Sequence, residues 1–144
     1  RGFVTHLSQG VTIVDDSYNS NPTALERTLE SIGRTSGYRR RVAVLGEMLE
    51  LGARSKALHY DCGKKAVNSG FERIVAIGGE NVEALLAGGQ DAGLDSDAVF
   101  HCANSEEAIN VVSRLIEKED LVLVKGSRGI QTDLVVDRLK VDWS

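Results

Sequence analysis

Leu121 to Gly129 reads LVLVKGSRG, an aliphatic run that gives way abruptly to a glycine-rich turn carrying two cations. A short unbroken apolar run with no polar alternation is the pattern of a strand covered on both faces, as in a parallel sheet. The same figure recurs at Val11 to Val14, Val42 to Leu45, Ile74 to Ile77 and Ala98 to His101. Between these runs, apolar residues fall three or four apart over about Thr23 to Gly33, Lys56 to Ser69, Asn81 to Ala87 and Ser105 to Glu117, and Thr132 to Lys140 closes the chain in the same way. Strand, polar loop and helix in steady alternation form the βαβ rhythm. It predicts an α/β domain with a Rossmann-like, doubly wound, mostly parallel sheet and helices on both faces. Gly2 to Leu7 reads as one further short strand.

Local punctuation agrees with this division. Ser105 precedes Glu106 and Glu107 as at a helix N-terminus, and Pro22 suits a first helical turn with Asn21 or Ser20 as its cap. Gly33, Gly37 and Gly70 stand where helices should stop, and Ala87 to Asp97 reads as a Gly/Asp-rich surface loop.

The chain has 144 residues, enough for one domain. A 42% hydrophobic and 26% charged composition is that of a globular protein with a real core. Seventeen Lys and Arg against 21 Asp and Glu give a net charge of −4, so no basic footprint for nucleic acid exists. No apolar run approaches the ~20 residues of a bilayer span, and no membrane insertion is expected. Cys62 and Cys102 lack CxxC spacing and fit buried thiols of a reducing cytoplasm. Arg1 in place of an initiator Met, with no signal-peptide pattern, suggests a piece of a longer protein.

Ligands of open parallel sheets gather outside the carboxyl ends of the strands. The segments there are Asp15-Asp16-Ser17-Tyr18-Asn19-Ser20-Asn21-Pro22, Gly46-Glu47-Met48-Leu49-Glu50-Leu51-Gly52, Gly78-Gly79-Glu80-Asn81 and Lys125-Gly126-Ser127-Arg128-Gly129. All four should line one edge. The last looks made for phosphate, since glycines admit a ligand to the backbone and Lys125 and Arg128 add charge. It is no P-loop, however, because GxxxxGK[ST] and GxGxxG are both absent from the chain, and a solvated loop with incidental cations fits the composition equally well. Asp15 and Asp16 either accept from ribose hydroxyls or merely turn the chain and cap the next helix. His59 inside a helix, with no metal constellation around it, reads as packing or surface, as do His6 and His101. Arg39-Arg40-Arg41 reads as a solvated charge run. Met48, Leu49 and Leu51 either pack under their loop or form a substrate wall.

In order along the chain, DDSYNSNP at Asp15 to Pro22, VLGEMLELG at Val44 to Gly52, Leu58-His59, and VLVKGSRG at Val122 to Gly129, backed by Val135-Val136 and Leu139, resemble the C-terminal domain of the Mur ligases. DDSYNxNP is the specific signal, for folate-polyglutamate ligases of the same superfamily carry DGAHNP-like text at that turn. The chain departs from the family pattern at Ser20, at Glu47 where Asp is usual, at Ala53-Arg54, and at Ile130 to Asp133 where a Met-rich stretch is usual.

The resemblance implies an ATP-dependent ligase that joins D-alanyl-D-alanine to UDP-N-acetylmuramoyl-tripeptide in bacterial peptidoglycan synthesis, in the cytoplasm. It implies that residues 1–144 are one C-terminal domain, inactive alone. N-terminal and central domains of the same chain would hold the UDP group, the P-loop and most of the Mg2+ ligands. It makes Asp16 the ribose carboxylate, Arg1 an ATP-phosphate ligand, and Asn19 and Asn21 shapers of that ATP-binding loop. It makes Glu47, Asn81, Lys125, Ser127 and Arg128 candidates for holding the dipeptide. The competing expectations are a stand-alone nucleotide- or anion-binding module and a folate-type ligase domain.

Overall fold

The computed structural model describes residues 3–17, 21–127 and 129–144. Six strands, β1 (Phe3–His6), β2 (Thr12–Asp16), β3 (Arg40–Gly46), β4 (Arg73–Ile77), β5 (Val99–Cys102) and β6 (Asp120–Lys125), form one sheet in the order β1-β2-β6-β3-β4-β5. β1 runs antiparallel to β2, and every other pairing is parallel. Five helices connect and flank them: α1 (Pro22–Gly33), α2 (Ser55–Ser69), α3 (Glu80–Asp91), α4 (Ser105–Leu115) and α5 (Asp133–Asp142).

The pleat sorts the aliphatic runs into two cores. Val14, Ala43, Leu45, Ile74, Ala76, Leu121 and Leu123 point to one face, where Leu25 and Leu29 of α1, Cys62 and Ala66 of α2, and Val82 and Leu85 of α3 cover them. Their alternate neighbours Ile13, Val42, Val44, Val75, Ile77, Val122 and Val124 point to the other, under Ala108 and Val112 of α4 and Val135, Val136 and Leu139 of α5. Because side chains alternate with period two, a strand buried on both faces must be apolar throughout, as these are. Each fully buried Leu, Ile or Val contributes about 1.5–3 kcal/mol relative to exposure.

Several expected details are corrected. α3 continues to Asp91 through residues expected in a surface loop. Gly88 and Gly89 are buried, and a Cβ on Gly88 would lie 2.1 Å from the Tyr60 carbonyl oxygen of α2, so these glycines permit close helix packing. Asn104, not Ser105, caps α4, accepting the Glu107 N–H at 2.9 Å, while Ser105 Oγ donates to the Ile130 carbonyl at 2.6 Å. α1 ends at Gly33 as expected, and the missing Cβ there also makes room for the Ser69 carbonyl, 2.2 Å from where that atom would be. Arg40 is not solvated. Its guanidinium grips the fully buried Asp120 at 3.0 and 2.8 Å and donates to the Leu115 carbonyl at 2.7 Å. Pro22 and the Asn21 cap stand as expected, with Asn21 Oδ1 accepting the Ala24 N–H at 2.9 Å. Among the described residues no helix is long and apolar enough to cross a membrane.

Candidate functional site

The chain winds outward from β2 through β3 and β4 to β5, with α1, α2 and α3 on one face, then returns under α4 to insert β6 between β2 and β3. The direction of winding therefore reverses at β6, which opens a crevice beyond the carboxyl ends of β2, β6 and β3, the place where such sheets bind ligands. Asp16, Lys125 and Gly46 end those three strands, and Glu47 follows directly on Gly46.

Asp16 and Lys125 are register partners across β2 and β6. Lys125 Nζ donates to Asp16 Oδ2 at 2.5 Å, with only 3% of the lysine and 9% of the aspartate side chain exposed. Asp15 faces the other way and serves the turn, accepting the Ser17 N–H at 3.1 Å and the Ser17 hydroxyl at 2.6 Å. Neither aspartate caps α1. Beside Asp16, a hollow of about 280 Å³ is bounded by Val14, Arg27, Thr28, Ser31 and Ile32. One buried carboxylate thus stands at the mouth of a small cleft, held by a cation from the neighbouring strand.

Beyond β3, Glu47 reaches sideways to the turn after β4. Its Oε1 accepts the Gly79 N–H at 3.0 Å and its Oε2 the Asn81 amide at 2.7 Å, while its own N–H donates to the Ile77 carbonyl at 2.8 Å. Burial pushes the Glu47 carboxyl up, but the bonds from Gly79 and Asn81 outweigh it and hold the group below the usual glutamate range. Gly78 makes this approach possible. Its φ is +146°, and a Cβ there would sit 2.5 Å from Glu47 Oε1. His59, expected to be packing or surface, is fully buried and also bonds the same loop: its Nε2 accepts the Met48 N–H at 2.9 Å. Met48 is buried beneath the loop and the partly buried Leu51 packs against the same core, as the packing reading expects, while Leu49 is 45% exposed.

On the far side of β6, a hollow of about 420 Å³ lies between the end of β4, the start of α4 and the turn before α5, with Asn104, Glu106 and Gln131 on its polar side and Ile77, Ile130 and Leu134 on its apolar side. The hydroxyls of Ser127 and Thr132 beside this turn are buried without hydrogen-bond partners. Cys62 and Cys102 are buried free thiols, and burial pushes Cys62 up to about 12, which removes it as a nucleophile.

The four loops thus share one edge, and two pairs of expected site residues meet there: Asp16 with Lys125, and Glu47 with Asn81. Lys125, expected among the dipeptide ligands, reaches the nucleotide candidate Asp16. Asn21 spends its side-chain oxygen on the helix cap. Arg1, Asn19 and Arg128 lie outside the described residues. Sequence reasoning missed the bond from His59 to Met48, whose only trace was the position of Leu58-His59 behind the Glu47 loop. Among the described residues no three His, Cys, Asp or Glu side chains come together, and the Asp16 carboxylate is engaged by the Lys125 ammonium.

Comparison with known proteins agrees with this geometry. Residues 1–128 match the family model described as Mur ligase, glutamate ligase domain. Over 130 residues the chain is 30% identical to the UDP-N-acetylmuramoyl-tripeptide--D-alanyl-D-alanine ligase of Bacillus subtilis strain 168, covering 90% of this chain and 28% of that enzyme. The MurF ligase of Thermotoga maritima, solved in complex with ADP, superposes with a TM-score of 0.75 at 26% identity over 96% of this chain and 30% of its own. MurF of Acinetobacter baumannii gives 0.81 at 25% identity, again over 96% and 30%. The chain spans under a third of the length of these relatives. With the family model matched over most of its length, this chain belongs to the Mur ligase family.

Proposed function

We propose that residues 1–144 are the C-terminal domain of an ATP-dependent ligase, working in the bacterial cytoplasm, that joins D-alanyl-D-alanine to UDP-N-acetylmuramoyl-tripeptide. In that reaction the γ-phosphoryl group of ATP passes to the tripeptide carboxylate and ADP is released. The dipeptide amine then adds to the acyl carbon, the bond to phosphate breaks, and an amide forms with loss of phosphate and the amine proton. Covalent participation by this domain is not required. Its part is to hold ATP and the dipeptide, bring them onto the upstream domains and exclude water, contributions that position and desolvate the reacting groups. Magnesium and the UDP group would be held by those upstream domains, in keeping with the 28% of the Bacillus subtilis enzyme's length that this chain spans.

The observation that carries the reading is the arrangement at the reversal of winding, where Asp16 and Lys125 end adjacent parallel strands in register, beside a small cleft. A carboxylate offers about four lone-pair sites, so Asp16 can accept ribose hydroxyls while holding Lys125. On the other side of β6, Glu47, Asn81 and Ser127 form the dipeptide side of the crevice, and Lys125 links the two halves; Arg128 is a dipeptide candidate by the family resemblance alone. The solved MurF relative with ADP supports nucleotide use by the fold.

The test is ATP binding by the full-length ligase. Asp16→Ala should weaken it by about 1.5–3 kcal/mol, the range for hydrogen bonds to charged groups. Unchanged affinity with an intact circular dichroism spectrum removes Asp16 from the nucleotide site.

A further inference from the structure

His59 lies within α2, the helix that follows the Glu47 loop, and is fully buried. Its two ring nitrogens have unlike partners. Nε2 meets the Met48 N–H, a donor, at 2.9 Å, whereas Nδ1 meets the Ser55 carbonyl, an acceptor, at 2.8 Å. These partners fix a neutral ring with the proton on Nδ1 and the Nε2 lone pair aimed at the loop. Met48 is otherwise held by its side chain in the core, and the residue before it is Glu47, whose carboxylate spans to Gly79 and Asn81. The residue after it, Leu49, leans on the opposite loop, with Cδ1 3.1 Å from where a Gly129 Cβ would stand. A single backbone N–H thus lies between the two sides of the crevice, and His59 is the group that holds it.

We infer that His59 is a positioning residue for the amino substrate: by accepting the Met48 N–H it sets the path of residues 47–49, so that Glu47 and Leu49 present a fixed wall to the incoming dipeptide. It touches no substrate. This deepens the proposed function and rests on the Glu47 loop being part of the dipeptide site. The loop has reason to need such a hold. Glu50 has φ +62° and Gly52 φ +68°, left-handed conformations in quick succession, and a non-glycine residue there is held only by its surroundings. Loss of the acceptor would leave the Met48 N–H buried and unpaired, which the loop would relieve by moving toward water.

The experiment measures KM for D-alanyl-D-alanine and for ATP in the full-length ligase with three substitutions. Gln places its Oε1 near the position of Nε2 and can accept the Met48 N–H, whereas Asn reaches only the Nδ1 position near Ser55. His59→Asn should raise the dipeptide KM by about tenfold with the ATP KM within about twofold, and His59→Gln should restore most of it. A packing residue alone would lower Tm in both variants and move both KM values together or neither, and that result overturns the proposal. Glu47→Gln separates the two layers. A raised dipeptide KM there, beside unchanged values in both His59 variants, overturns the positioning role alone; an unchanged KM in Glu47→Gln overturns the reading of the loop as a dipeptide site and the positioning role with it.

Discussion

The Lys125 ammonium and the Asp16 carboxylate close a contact of 2.5 Å across the ends of β6 and β2, both side chains more than nine-tenths buried. Two opposite charges withdrawn from water stabilise a fold little in net terms, because desolvation offsets their attraction, yet removing one charge takes away much of what compensates the burial of the other. Lys125→Met should therefore cost about 3–5 kcal/mol, while Lys125→Met combined with Asp16→Asn should recover much of the loss. Urea unfolding of the two variants and the wild type reads this directly. A single variant as stable as the wild type would show that the contact between Lys125 and Asp16 does not support the fold in solution.

Glu47 predicts a pH dependence. Its folded carboxyl lies below the ordinary value, so the ionised form favours the fold. The stability it contributes is complete above the unfolded value of about 4.3 and is lost as pH falls through the lower folded value. Melting temperatures of wild type and Glu47→Gln should differ at neutral pH and converge on acidification below that range. A gap that stays constant down to pH about 3 would mean that Glu47 is not held by Gly79 and Asn81 in its charged form.

The sheet and its winding were legible because five short aliphatic runs leave no other way to bury both faces, and the glycine-rich text after each run marked the ligand edge. Pairwise partners were less legible. Arg40 reads as one of three like charges, and only the register that sets Arg40 beside Asp120, 80 residues away, turns it into a buried ion pair. The end of α3 was missed because Gly88 and Gly89 carry a loop's composition while serving a helix contact, a demand made by α2 and invisible locally. His59 was ambiguous for the same reason: its meaning depends on a backbone N–H eleven residues earlier.

That α2–α3 contact yields a stability prediction. A Cβ on Gly63 would lie 1.8 Å from the Leu85 carbonyl oxygen, and one on Gly88 2.1 Å from that of Tyr60. Both obstacles are backbone, so no rotamer change relieves them. Gly63→Ala should cost about 3 kcal/mol or more, at or beyond the upper end for overpacked sites, despite the better intrinsic helix propensity of alanine. A variant that melts at or above the wild-type temperature would place α2 and α3 farther apart than this packing has them.

The hydroxyls of Ser127 and Thr132 separate stability from function. Both are buried and unpartnered, and an unmet buried hydroxyl costs stability that its removal returns, about 1–3 kcal/mol at most. Thr132 is fully buried with its Cγ2 against Gly46 and Gly126, so Thr132→Val keeps that packing and should raise Tm. Ser127 stands in the loop assigned to the dipeptide. If its hydroxyl waits for a substrate oxygen, Ser127→Ala should leave Tm equal or higher and yet raise the dipeptide KM of the full-length ligase, with the ATP KM nearly unchanged. A substrate hydrogen bond of ordinary strength sets that rise at about two- to tenfold. Equal effects on both substrates would move Ser127 to the phosphates, and no effect on either would leave it a turn residue whose hydroxyl has no role in binding.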